Sequence, residues 1–122
     1  MRVKHQLLYW LPVYLYAGTI FYLSSVSVLH APEQQFGITI SDATKHIVEY
    51  AILSFLLFRA FTNSNSLSIK TKAYLLAITL SILYGITDEL HQFFVPERVC
   101  SGLDALFDGI GSSFILIKEF FR

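Results

Sequence analysis

Three short polar stretches interrupt an otherwise apolar chain, and folding at them sorts the charges to two sides. Seven of the nine basic residues (Arg2, Lys4, Arg59, Lys70, Lys72, Lys118 and Arg122) fall on one side. Eight of the nine acids (Glu33, Asp42, Glu49, Asp88, Glu89, Glu97, Asp104 and Asp108) fall on the other. The formal net charge of zero conceals this separation. Several of these acids also lie inside runs that read as hydrocarbon-spanning. An ionisable group placed there costs about 3 kcal/mol and usually marks a working site.

Composition agrees. Hydrophobic residues make up 54% of the chain and charged residues 15%, below the quarter or so of a soluble domain. The 122 residues have room for one domain, spanning residues 1–122. No cluster of lysine and arginine suits nucleic acid, so none is expected as a partner. The single Cys100 excludes an internal disulfide and any paired-cysteine metal motif.

Four apolar runs predict an all-α integral membrane bundle of four transmembrane helices. The first, Leu7–Leu29, is too long for the h-region of a cleaved signal, which runs to about 7–15 residues. It reads as a retained anchor, with Tyr9 and Trp10 at the inner interface and Pro12 one turn in. The second runs from Ala43 to Thr62, the third from Ala73 to Val95, and the fourth from Leu103 to Phe121. Lysines and arginines in the N-terminal segment, the Asn63–Lys72 turn and the C-terminal segment put all three in the cytoplasm. Multi-pass insertion in a plasma membrane, with membrane lipids as surroundings, follows. Closed barrels are excluded because the runs are too long and do not alternate.

Three polar stripes then meet at the outer end. On the second helix, Asp42, His46, Glu49 and Tyr50 share a face by helical spacing. On the third, Asp88, His91 and Gln92 do so, with Glu89 offset by one residue. On the fourth, Asp104, Asp108 and Gly111 repeat the pattern. Facing lipid would be costly for such stripes, so they are expected to face one another or a wet cavity. Asp42 is also a candidate N-cap, and Ser101 with Asp104 fits a capping box. Gly85, Gly109 and Gly111 are expected to permit close helix approach. Six acids here meet two fixed cations, Lys45 and Arg98. Carboxylates sharing a low-dielectric site cannot all carry charge. Protons, the histidines, a metal ion or a cationic ligand group must neutralise the surplus.

These residues carry a resemblance. Residues 41–53, SDATKHIVEYAIL, resemble the first signature of the VanZ-like family of small bacterial and archaeal membrane proteins. Residues 84–98, YGITDELHQFFVPER, resemble its second and most specific signature. Ser101-Gly102-Leu103-Asp104, followed by Asp108 and Gly111, is similar to its closing block. The likeness covers residues 42–111. Two positions depart from it: Ala43 stands where relatives often have Lys, and Asp108 where they often have Asn. The resemblance implies a prokaryotic envelope protein associated with low-level resistance to teicoplanin-type glycopeptides and related lipid-bearing antibiotics.

The leading expectation is a non-enzymatic protein whose outer pocket binds a lipid head group, a lipid-linked cell-wall precursor or an amphiphilic antibiotic. Its ligand-binding residues are then Asp42, Lys45, His46, Glu49, Tyr50, Asp88, Glu89, Gln92, Arg98, Asp104 and Asp108. Arg98 and Lys45 would meet phosphate; Asp88, Glu89 and Gln92 would meet hydroxyls or amines. The alternative is an intramembrane acid–base or metal-dependent enzyme acting on a lipid-linked substrate. There Asp88 or Glu89 would be general base, His46 an acid or metal ligand, and Arg98 a phosphate clamp. His46 and His91 with Glu49 and Glu89 offer donors for a divalent ion, but their spacing matches no ligand motif. No metal or other cofactor is therefore assigned. A proton or cation pathway ranks third, because the inner half has few ionisable groups besides Arg59. The small interior of four short helices is compatible with a homo-oligomer.

Overall fold

The computed structural model describes residues 2–25, 39–94 and 102–120, with side chains for 4–23, 44–91, 93–94 and 105–117. Asp42, Gln92 and Asp104 therefore enter as backbone only, and Arg98 and Cys100 lie outside the described residues. Regular structure among these residues is entirely helical: α1 (Arg2–Ser25), α2 (Thr39–Thr62), α3 (Leu67–Thr71), α4 (Ala73–Phe93), α5 (Gly102–Ser112) and α6 (Ile115–Phe120). The all-α expectation holds.

Local chemistry accounts for where the helices depart from the sequence reading. The second helix begins at Thr39 rather than Ala43, which puts Asp42 inside it instead of at an N-cap. The polar turn after Thr62 contains its own helical turn, α3, whose N-cap Ser66 accepts from the Ile69 amide. The fourth run divides at Ser113 and Phe114. Ser112 and Ser113 turn their hydroxyls back onto the carbonyls of Asp108 and Gly109, and such back-bonding bends helices. The amide of Phe114 bonds to the Gly111 carbonyl three residues back, a tightening that ends α5.

By length and apolar composition, Ala73–His91 is the one described segment able to cross a membrane, and Ala105–Ile117 is a shorter apolar helix. Lys45, Glu49 and Arg59 interrupt the apolar character of α2. The described part of α1 stops at Ser25, short of the predicted end at Leu29.

Helix α2 is the hub, packed against α1, α4 and α5. Gln6 donates to the Asn63 carbonyl at 3.0 Å, Trp10 meets Phe61 edge-on at 5.3 Å, and the Arg59 guanidinium lies 4.8 Å over the Tyr9 ring. These contacts set the start of α1 beside the end of α2. Farther along, the Tyr16 hydroxyl donates to the Glu49 carbonyl at 2.9 Å and Tyr84 donates to the Ala17 carbonyl.

Polarity is distributed inside out. Leu7, Leu8, Leu11, Leu15, Leu75 and Leu83 are more than half exposed, whereas Ser54, Ser81, Ser112, Asp88, Glu89 and Asp108 are buried. The serines tie α2, α4 and α5 together: Ser54 donates to the Ser112 carbonyl at 2.7 Å, and the Ser81 and Ser112 hydroxyls meet at 2.6 Å. Small polar residues at helix contacts are what bundles use where apolar surroundings give little drive for helix association.

Candidate functional site

Helix geometry brings the acidic stripes to one half of the bundle. At its centre, His46 Nδ1 on α2 lies 2.7 Å from Asp108 Oδ1 on α5. Asp108 is 1% exposed, and Glu89 and Asp88 on α4 are 4% and 5% exposed. Two adjacent residues on one helix point about 100° apart, so burying both means α4 is enclosed on more than one side there. Glu49 lies in the electrostatic field of His46, Lys45, Asp88 and Asp108. Tyr50, fully buried, lies in that of Asp88, Asp108 and Glu49.

Glycine allows the approach. A Cβ at Gly111 would sit 2.2 Å from the Ile47 carbonyl oxygen, so α5 meets the α2 backbone directly. A Cβ at Gly85 would come within 3.0 Å of Asp108 Oδ2, which places that carboxylate against α4. Gly109 differs from the expectation: nothing lies within 4 Å of its missing Cβ, so it is not an approach residue. It occupies another side of α5 from Gly111.

The sequence-derived residues thus separate. Lys45, His46, Glu49, Tyr50, Asp88, Glu89 and Asp108 form one neighbourhood. Lys45, partly buried, lines a groove of about 320 Å³ between α1 and α2, with Glu49, Tyr16, Ile20, Leu23 and Val48. His91 instead stacks on Phe21, ring centroids 4.4 Å apart. The start of α5 at Gly102 puts Asp104 at its third position, the register of the predicted capping box. The side chains of Asp42, Gln92, Arg98 and Asp104 lie outside the described residues, so their roles in the site stay expectations.

Sequence reasoning passed over Tyr16 and the serines Ser54, Ser81 and Ser112. Each carried a signal, since a hydroxyl inside an apolar run must find a partner when buried.

Chemically, the site offers an imidazole fixed by a carboxylate, further carboxylates and a phenol in a water-poor interior. Such a set can hold a cation or a hydroxyl- or amine-bearing group, and it can move a proton. Compared with family models, curated proteins and solved structures, the chain matches none.

Proposed function

We propose that this chain is a multi-pass protein of the VanZ-like type in a prokaryotic plasma membrane, binding an amphiphilic or lipid-linked envelope molecule in its polar pocket. Helices α1, α2, α4 and the broken pair α5–α6 are the four spans, with both termini cytoplasmic. The apolar exterior over a serine- and carboxylate-bearing interior supports immersion in lipid. The helical contour of Gly102 to Phe120, bend included, is about 28 Å at 1.5 Å per residue, the order of a hydrocarbon core. Lys4, Arg59, Lys70 and Lys72 lie toward the end of the bundle away from the carboxylates, in keeping with a cytoplasmic face.

The observation that carries the binding role is the convergence of His46, Glu89 and Asp108 from three helices. Beside it, the groove of α1 and α2 joins an apolar wall of Ile20, Leu23 and Val48 to the charges of Lys45 and Glu49. An acyl chain with a polar head fits that division. Lys45, and Arg98 from outside the described residues, would meet phosphate, while Asp88 and Glu89 would meet amines or hydroxyls.

Expression in a susceptible host is the test. Susceptibility to teicoplanin-type glycopeptides or lipopeptides should fall, and Glu89→Ala should abolish the change while the protein still inserts. An unchanged susceptibility, or one indifferent to Glu89, would sink the proposal.

The 2.7 Å His46–Asp108 pair favours a second reading. A carboxylate that orients an imidazole prepares it for acid–base work on a lipid-linked substrate. Turnover of a lipid pyrophosphate by purified protein, lost on His46→Ala, would establish it.

A further inference from the structure

Three buried carboxylates, Asp88, Glu89 and Asp108, lie within the bundle. Two of the three converge with a histidine. One potential ligand atom from each of His46, Glu89 and Asp108 lies within 4.8 Å of the other two. Transition-metal ions hold imidazole nitrogen and carboxylate oxygen at about 2.0–2.2 Å, so two ligands on one ion stand about 3.0–3.5 Å apart. The observed triangle needs to contract by little more than an ångström at its widest edge, within the reach of a Glu side chain rotamer, while the 2.7 Å His46–Asp108 hydrogen bond opens by some tenths of an ångström to admit the ion.

A second observation is independent of that triangle. Tyr50 is 0% exposed and its hydroxyl has no hydrogen-bond partner among the described residues. Its ring edge would lie 3.3 Å from a Cβ at Gly85, a point 3.0 Å from Asp108 Oδ2. A buried phenol is disfavoured in that state, and a water held on an ion between His46, Glu89 and Asp108 would complete it.

We propose that His46, Glu89 and Asp108 bind one divalent transition-metal ion of the zinc class, with Tyr50 hydrogen-bonded to a water on the ion. The donor set decides the class: one imidazole with two carboxylates suits zinc and its neighbours, whereas calcium and magnesium take oxygen alone. Three protein ligands leave a coordination position open, as in zinc sites that bind a further molecule. The ion deepens the binding role proposed above, whose pocket it shares: it would hold an oxygen or nitrogen of the bound amphiphile.

The full-length protein, purified in detergent and stripped with a chelator, is titrated with Zn²⁺ at neutral pH by calorimetry, and its metal content is measured by mass spectrometry. One Zn²⁺ per chain is expected. His46→Ala, Glu89→Gln and Asp108→Asn should each weaken binding at least tenfold, while His5→Gln leaves it unchanged. Zn²⁺ should also raise the unfolding temperature of the unsubstituted protein, a readout that survives if a variant fails to fold. Absence of stoichiometric Zn²⁺, or uptake indifferent to all three substitutions, overturns the inference. Glu89-dependent resistance without Zn²⁺ uptake overturns the metal alone and leaves the amphiphile pocket. Zn²⁺ uptake with unchanged susceptibility supports the metal and removes the resistance role.

Discussion

His46 Nδ1 and Asp108 Oδ1 stand 2.7 Å apart although 62 residues separate them in the chain. This contact fastens α2 to α5 inside the bundle. Removing one member of this part-buried pair deprives the other of its contact, at a cost of about 3 kcal/mol. His46→Ala should therefore lower the stability of the detergent-solubilised protein by that order. In a double-mutant cycle, His46→Ala and Asp108→Asn should show a coupling of about 1 kcal/mol or more, and simple additivity would contradict direct pairing.

Gly109 and Gly111 of α5 should respond in opposite directions. Gly111→Ala forces a methyl group to within 2.2 Å of the Ile47 carbonyl, and overpacking of this kind costs about 1–3 kcal/mol. At Gly109 there is open space, so Gly109→Ala should gain up to about 1 kcal/mol from helix propensity. Thermal unfolding of the two variants side by side checks the contrast. Equal effects would mean that α5 is rotated from the orientation described.

Tyr50 separates stability from function. Its buried hydroxyl lacks a hydrogen-bond partner among the described residues, so Tyr50→Phe relieves a penalty of about 1 kcal/mol. The variant should unfold at a temperature equal to or above that of the parent. If the hydroxyl serves a bound ligand, the resistance proposed for this protein should decline in the same variant. A marked loss of stability would show that the hydroxyl is already satisfied.

Topology can be read by cysteine labelling. Ser68 lies exposed in α3, within the turn assigned to the cytoplasm. In a Cys100→Ser background, Ser68→Cys should react with a membrane-impermeant thiol reagent only after the cells are opened. Labelling of intact cells would invert the orientation and move the polar pocket to the cytoplasmic side.

Much of the site was legible from helical spacing, because i, i+4 and i+7 positions share a face whatever the partner. That rule grouped His46 with Glu49 and Tyr50, and flagged Asp88 and Asp108. It ranked Asp88 above Glu89 as the stripe residue, yet both are buried. The metal reading, which spacing did not support, grouped His46 and His91 with Glu49 and Glu89, whereas His91 stacks on Phe21. A one-dimensional periodicity gives direction about a helix axis but not the neighbour in that direction. The break at Ser113 escaped notice for a related reason: the apolar run continues through it, and only the serine hydroxyls bonded to Asp108 and Gly109 mark the bend.

The order of residues along the chain determined that it would be helical, that a polar turn would follow Thr62, and which acids each helix would carry. Those properties depend on bonded neighbours and on the water–hydrocarbon preferences of single side chains, both written locally. Tertiary structure alone decided that Asp108 would meet His46, and that Gly111 rather than Gly109 would meet Ile47. Helix rotation and separation are set by packing between distant segments, where a single methyl group determines how closely two backbones approach.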